Sequence, residues 1–139
     1  MELFQPGDFT LNSGAKSKWK LECDALTDGD ISTLATMIQQ LVGPFMAVTG
    51  VPRGGLRLER ALAPLTTDHG CHLIVDDVLT TGGSMDRLVR SRWPATCQDL
   101  LQDGFVVGAV IFARGQCPPW IKAVFQMPPA FWMGAQGWK

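Results

Sequence analysis

The sequence is short of charge. Asp, Glu, Lys and Arg make up 18% of its 139 residues and sum to a formal net charge of −1, where soluble domains usually carry about a quarter charged residues. So balanced a chain offers no bulk field for duplex DNA or an anionic membrane, and neither partner is expected. No apolar run approaches the ~20 residues of a membrane span. The opening Met1-Glu2-Leu3-Phe4-Gln5-Pro6 has no basic stretch followed by an apolar core, so no secretion signal is expected. The cysteines, at positions 23, 71, 97 and 117, form no C-x-x-C pair, and no histidine stands at metal-site spacing from two of them. A zinc site is therefore not expected, and free thiols in a reducing cytoplasm are. A nucleotide-triphosphate loop is missing too. Gly14-Ala15-Lys16-Ser17 lacks both the adjacent Gly-Lys and the upstream glycine.

What remains is a chain of single-domain length, large enough to bury a core. Five Trp and seven Phe beside so little charge point to an apolar surface that needs covering, and hence to a homodimer. Apolar and helical patterns alternate. Residues 29–41 space Ile31, Leu34, Ala35 and Ile38 as a helix does, with Asp30 or Ser32 as its cap and Gly43-Pro44 as its stop. Residues 45–48 read as a buried strand, and 56–63 as a short amphipathic helix. Residues 72–76 and 105–112 read as two further strands. Between them, 85–93 should be helical with Arg87, Arg90 and Arg92 mostly exposed. Thr96-x-x-Asp99 would cap a second helix through Gln102. Arg114, just past the last of these strands, reads as a cap. Cys117 to Lys139 is a Pro- and Trp-rich tail with one candidate strand at 121–125. Trp120, Phe131 and Trp132 there read chiefly as core or interface.

Two stretches carry chemistry. From His72 the chain runs through an apolar strand to the adjacent carboxylates Asp76 and Asp77. Thr80-Thr81-Gly82-Gly83-Ser84 and a helix start follow. That order suits a sugar phosphate. Glycines let backbone approach a phosphate, hydroxyls donate to it, and the helix end attracts its charge. The carboxylates can accept hydrogen bonds from ribose hydroxyls or help hold a magnesium ion. The second stretch, Arg53-Gly54-Gly55, also lies between a strand and a helix. A planar guanidinium there suits phosphate oxygens.

The 72–84 stretch resembles the phosphoribosyl pyrophosphate (PRPP) binding motif of type I phosphoribosyltransferases. Phe9, Leu11, Ser13, Gly14 and Ser17 resemble the Phe-x-Leu-x-Ser-Gly-x-x-Ser string in the amino-terminal hairpin of orotate phosphoribosyltransferases. The resemblance implies a ribose site at Asp76 and Asp77, which would be catalytic and would hold Mg2+ indirectly, through ribose and water. It implies a 5′-phosphate site at Thr80, Thr81, Gly82, Gly83 and Ser84. Arg53, Gly54 and Gly55 would bind pyrophosphate, and Lys16 or Trp19 would face the base. Three departures accompany it. Asn12 stands where the family carries a basic residue, and Lys20 and Leu21 stand where it carries aromatics. The segment from Gly55 to Leu73 is too short for the flexible loop that closes over PRPP in the family. His69, in the turn of that segment, reads as a solvated loop residue.

The expectation is an α/β fold, with a mainly parallel, Rossmann-like sheet and helices on both faces. The chain would be one domain, with residues 1–28 as a hairpin region and 117–139 as a tail. The expected function is PRPP-dependent transfer of ribose-5-phosphate to a nitrogenous base with release of pyrophosphate. The alternative is a non-catalytic PRPP- or nucleotide-binding regulatory module.

Overall fold

A computed structural model of the chain describes residues 1–11 and 14–127. Two sheets organise it. β1 (Phe4–Thr10) and β2 (Lys16–Leu21) form an antiparallel hairpin. The main sheet is parallel, in the order β3 (Phe45–Gly50), β4 (Cys71–Leu79), β5 (Val106–Ala113) and β6 (Ile121–Gln126). α1 (Asp28–Val42) leads into β3, and α2 (Leu56–Leu62) joins β3 to β4. α3 (Gly83–Arg92) and α4 (Cys97–Gln102) join β4 to β5. β6 returns beside β5 with no helix in between.

Alternation along the strands builds two cores. Leu73 and Val75 of β4 and Ala109 and Ile111 of β5 pack with Ile31, Leu34, Ile38, Leu58 and Leu62 of α1 and α2. Ile74, Val106 and Val110 face the other way, toward Met85, Val89 and Cys97 of α3 and α4. Helices thus cover both faces, as the alternating pattern predicts. Because both faces are buried, β4 and β5 read as near-continuous apolar runs.

The boundaries differ where side-chain chemistry outweighs periodicity. Thr27, not Asp30 or Ser32, caps α1. Its hydroxyl accepts from the Asp30 N–H at 3.0 Å, while the Asp30 carboxylate accepts from the Thr27 N–H at 2.9 Å. This reciprocal box satisfies two donors that a helix start leaves open. At α4 the reverse holds. Thr96 occupies the cap position, but its side chain makes no capping bond. β4 continues past the carboxylates to Leu79 because β5 offers partners that far, Val78 opposite Phe112 and Leu79 opposite Ala113. Asp76 and Asp77 therefore lie inside a strand rather than at its end. Phe105 stays outside β5 and 61% exposed. Phe131 and Trp132 fall outside the described residues.

Candidate functional site

The parallel strands deliver their loops to one edge of the sheet, where a cavity of about 780 Å3 opens. That volume suits a small ligand. Asp76 and Asp77 line its floor. The 80–84 loop, Arg53-Gly54 and the hairpin wall it.

Successive residues on a strand point to opposite faces, yet both carboxylates line this cavity. Local hydrogen bonds hold them. The Asp77 N–H donates to Asp76 Oδ1 at 2.8 Å, and the Val78 N–H donates to Asp77 Oδ1 at 2.8 Å. Each carboxylate keeps a second oxygen. Burial, and then the neighbouring charge of Asp77, pushes Asp76 up to about 7 from its ordinary 3.8. Cys23 lies nearby, and burial first, then Asp77, pushes its thiol up to about 12. It therefore stays protonated and adds no charge.

The 80–84 loop turns sharply at Gly82, whose φ of 83° lies in the left-handed region that glycine tolerates best. α3 starts immediately after it. The Gly83 N–H donates to Thr81 Oγ1 at 3.3 Å, and residues 80–84 all line the cavity. The 51–55 loop is tied down on every side. The Gly50 N–H donates to Glu59 Oε1 at 2.7 Å and the Val51 N–H to the Val75 carbonyl at 2.9 Å. The Gly55 N–H donates to the Val51 carbonyl at 2.8 Å. The Pro52–Arg53 peptide is cis. A β-carbon on Gly54 would collide with the Asp77 carboxylate, and one on Gly55 with the Val75 carbonyl. These two positions need glycine for close approach, and they bring the loop against the carboxylate pair.

Arg114 is the side chain that sequence reasoning missed. It does not cap the sheet. It lies under the hairpin, only 5% exposed, and lines the cavity. Its Nη2 donates to Ser17 Oγ at 2.7 Å, and its guanidinium stacks 3.6 Å from the Trp19 ring. Among the described residues no carboxylate pairs with it, and burial lowers its pKa from the usual arginine range. Its position directly after β5 was the available signal, but its hydrogen-bond partner, Ser17, lies 97 residues away in β2.

Lys16 and Trp19, expected to face a base, do not line the cavity. The hairpin register places Lys16 opposite Thr10, and its ammonium donates to Thr10 Oγ1 at 2.7 Å. Trp19 is spent on Arg114 instead. The hairpin presents Phe9, Thr10, Leu11, Lys20 and Leu21 to the cavity. Lys20 Nζ sits 5.0 Å from the Phe9 ring and 3.3 Å from the Glu22 carboxylate. His69 is solvated and bonded to Asp68 at 2.8 Å. Trp120 packs beside the α3–α4 core. Among the described residues no group of three or more His, Cys, Asp or Glu gathers as a metal site, and no helix is long and apolar enough to cross a membrane.

No protein-family model and no curated protein sequence matches the chain. Solved structures do. The crystal structure of orotate phosphoribosyltransferase from Aeropyrum pernix superposes with a TM-score of 0.66 at 23% identity, over 89% of this chain and 88% of that one. The Mycobacterium tuberculosis H37Rv orotate phosphoribosyltransferase gives 0.61 at 18% identity, over 89% of each chain. That of Francisella tularensis gives 0.54 at 16% identity, over 89% of this chain and 80% of that one. At these identities the likeness is one of fold, and it extends over nearly the whole chain. Strand order, helix placement and these superpositions agree that the chain has the type I phosphoribosyltransferase fold.

Proposed function

We propose that the protein is a PRPP-dependent phosphoribosyltransferase of the orotate type. It would transfer ribose-5-phosphate to a nitrogenous base and release pyrophosphate. One observation carries this reading. The 51–55 loop is packed against Asp77, three residues before the 80–84 loop begins, so two phosphate-type loops flank one pair of carboxylates. A ligand with anionic groups at both ends and hydroxyls between them fits that layout.

In this reading Asp76 and Asp77 accept the ribose hydroxyls. The bond from the anomeric carbon to pyrophosphate breaks, and a base nitrogen bonds to that carbon. Positive charge builds on the ribose ring in between, where ionised carboxylates stabilise it. Thr80 to Ser84 hold the 5′-phosphate, and Arg53, Gly54 and Gly55 hold pyrophosphate. Arg114, already oriented by Ser17 and Trp19 and lacking an acidic partner, would meet an anionic group on the base. The donor set fits Mg2+ in one form only. Two carboxylates cannot cage the ion, so it would be held mainly by phosphate oxygens and water beside Asp76 and Asp77. There it would supply charge neutralisation of the pyrophosphate. A cytoplasmic homodimer belongs to the same reading. All four cysteines are free thiols, and Met46, Phe105 and Phe125 leave apolar surface to cover.

The test supplies PRPP, Mg2+ and a panel of purines, pyrimidines and orotate, and measures pyrophosphate release. Turnover with an acidic base is the expected result. Silence across the panel removes the transferase reading. A second reading has its own observation. Between Gly55 and β4 there is only α2, a single 3-10 turn at Ala63–Leu65 and a short polar turn. Nothing there can close over the ligand and exclude water. A module that binds PRPP or a nucleotide without turnover is that alternative. Calorimetry showing tight binding beside absent release would select it.

A further inference from the structure

Arg87 lies outside the strand–acid–loop stretch, one turn into α3, yet its side chain lines the cavity. It folds back over the helix start. Nη2 stands 3.4 Å from Ser84 Oγ, and Nη1 is 3.3 Å from where a β-carbon on Gly83 would sit. Long helical side chains lean toward the N-terminus, so a guanidinium at this position is carried to the mouth of the 80–84 loop. That is the unfavourable end for a cation, because the helix start already carries positive partial charge.

Nothing on the helix relieves it. Asp86, the one acid in the first turn of α3, instead holds Arg90 Nε at 2.8 Å. Among the described residues no carboxylate pairs with Arg87. A guanidinium, the start of α3 and the hydroxyls of Thr81 and Ser84 thus share one corner of the cavity with no carboxylate paired to the guanidinium. A ligand group with more than one negative charge would balance them.

We propose that Arg87 is a direct ligand of the ligand's phosphate monoester and makes this subsite selective for the dianion. The inference rests on the phosphoribosyl reading of the cavity. It adds a binding residue from beyond the loop, on the rigid helix that follows it. The site thereby gains a cation at the 5′-phosphate without any mobile segment.

Calorimetry with ribose 5-phosphate, and separately with pyrophosphate, tests it on the full chain. Wild-type affinity for ribose 5-phosphate should rise as pH passes through about 6, the second ionisation of a phosphate monoester. Arg87→Ala should weaken that binding about tenfold or more, the scale of one charge-assisted hydrogen bond, and flatten its pH dependence. Arg87→Lys should recover part of the loss. Pyrophosphate affinity should not change. Arg87 is exposed, so a circular dichroism melt should match wild type and exclude a folding cause. Unchanged ribose 5-phosphate binding by Arg87→Ala overturns the proposal, as does an equal loss for pyrophosphate. Wild-type protein that binds no ribose 5-phosphate at all removes the phosphoribosyl reading and this inference with it.

Discussion

The two glycine loops look alike in sequence and differ in construction. Each follows a buried parallel strand and opens a helix. The 80–84 loop turns on one left-handed glycine, ties its Gly83 N–H to Thr81 and lines the cavity along its whole length. The 51–55 loop is bound to Val75, to Glu59 and to itself, and two of its residues touch neighbouring groups so closely that no side chain fits. One loop is an open cup. The other is a wedge fixed in place and packed against the Asp77 carboxylate. The same glycine-to-alanine change should therefore give different results in each.

The largest effects belong to the wedge. Gly55→Ala puts a β-carbon on the Val75 carbonyl and the Val51 backbone, groups that cannot move without breaking the β3–β4 junction. It should cost about 2–4 kcal/mol of stability in a denaturant titration, the range of severe overpacking. Gly54→Ala separates fold from site. Residue 54 is exposed, and the nearest atoms its β-carbon would meet are those of the Asp77 carboxylate. Stability should move by less than about 1 kcal/mol, while PRPP binding falls at least tenfold because Asp77 is pushed aside. If Gly54→Ala binds PRPP like wild type, the loop does not position the carboxylate.

Asp76 opposes the two roles within a single side chain. Its folded pKa of about 7 lies above the ordinary 3.8. Between those values the folded state holds a proton that the unfolded chain has released. Stability contributed by this group is therefore lost as pH rises through that window. If Asp76 binds ribose as proposed, it does so in the ionised form, and PRPP affinity and turnover should climb through the same window. Asp76→Asn keeps an oxygen to accept the Asp77 N–H but cannot ionise. At pH 7.5 it should be more stable than wild type by about 1–3 kcal/mol. Its turnover should be at least about a hundredfold lower, the scale of losing one preorganised charge at a developing cation. Equal thermal melts across pH 5 to 8 for both proteins would show that burial does not raise this carboxylate.

The fold was legible because it rests on local pattern. Apolar runs buried on both faces mark β4 and β5, and 3.6-residue spacing marks α1; the apolar run expected to make β3 a buried strand instead forms the sheet edge, with Phe45 buried and Met46 exposed. The strand–acid–loop order also identified the residues that line the cavity floor and one wall. What escaped depends on distance in sequence. Arg114 reads as a cap until β2 is folded over it, when Ser17 and Trp19 turn it toward the cavity. Lys16 and Lys20 lie on one side of a strand, and alternation alone cannot choose between them. The hairpin register pairs Lys16 with Thr10, whose hydroxyl takes its ammonium, and Lys20 with Gln5, and of the two lysines only Lys20 lines the cavity. Arg87 is exposed in sequence and in structure alike. Only the lean of its side chain and the engagement of Asp86 distinguish it from Arg90 and Arg92.

The smallest effect belongs to the cup and completes the contrast with the wedge. Gly83 lies in the first turn of α3, without positive φ. An alanine there would place its β-carbon 3.3 Å from Arg87 Nη1 and 3.4 Å from Thr81 Oγ1. Both neighbours are side-chain ends that can give way by a few tenths of an ångström. Alanine also gains helix propensity over glycine, worth up to about 1 kcal/mol, so stability should stay within about 0.5 kcal/mol of wild type or rise. The cost should fall on Arg87, which must swing away from the loop. Ribose 5-phosphate affinity should drop two- to threefold, roughly 0.5 kcal/mol, in the wild-type background and not at all in Arg87→Ala. That double-mutant comparison is the sensitive part. Additive losses would mean that the new methyl group acts on the backbone cup itself, and that the cup is as tightly determined as the wedge.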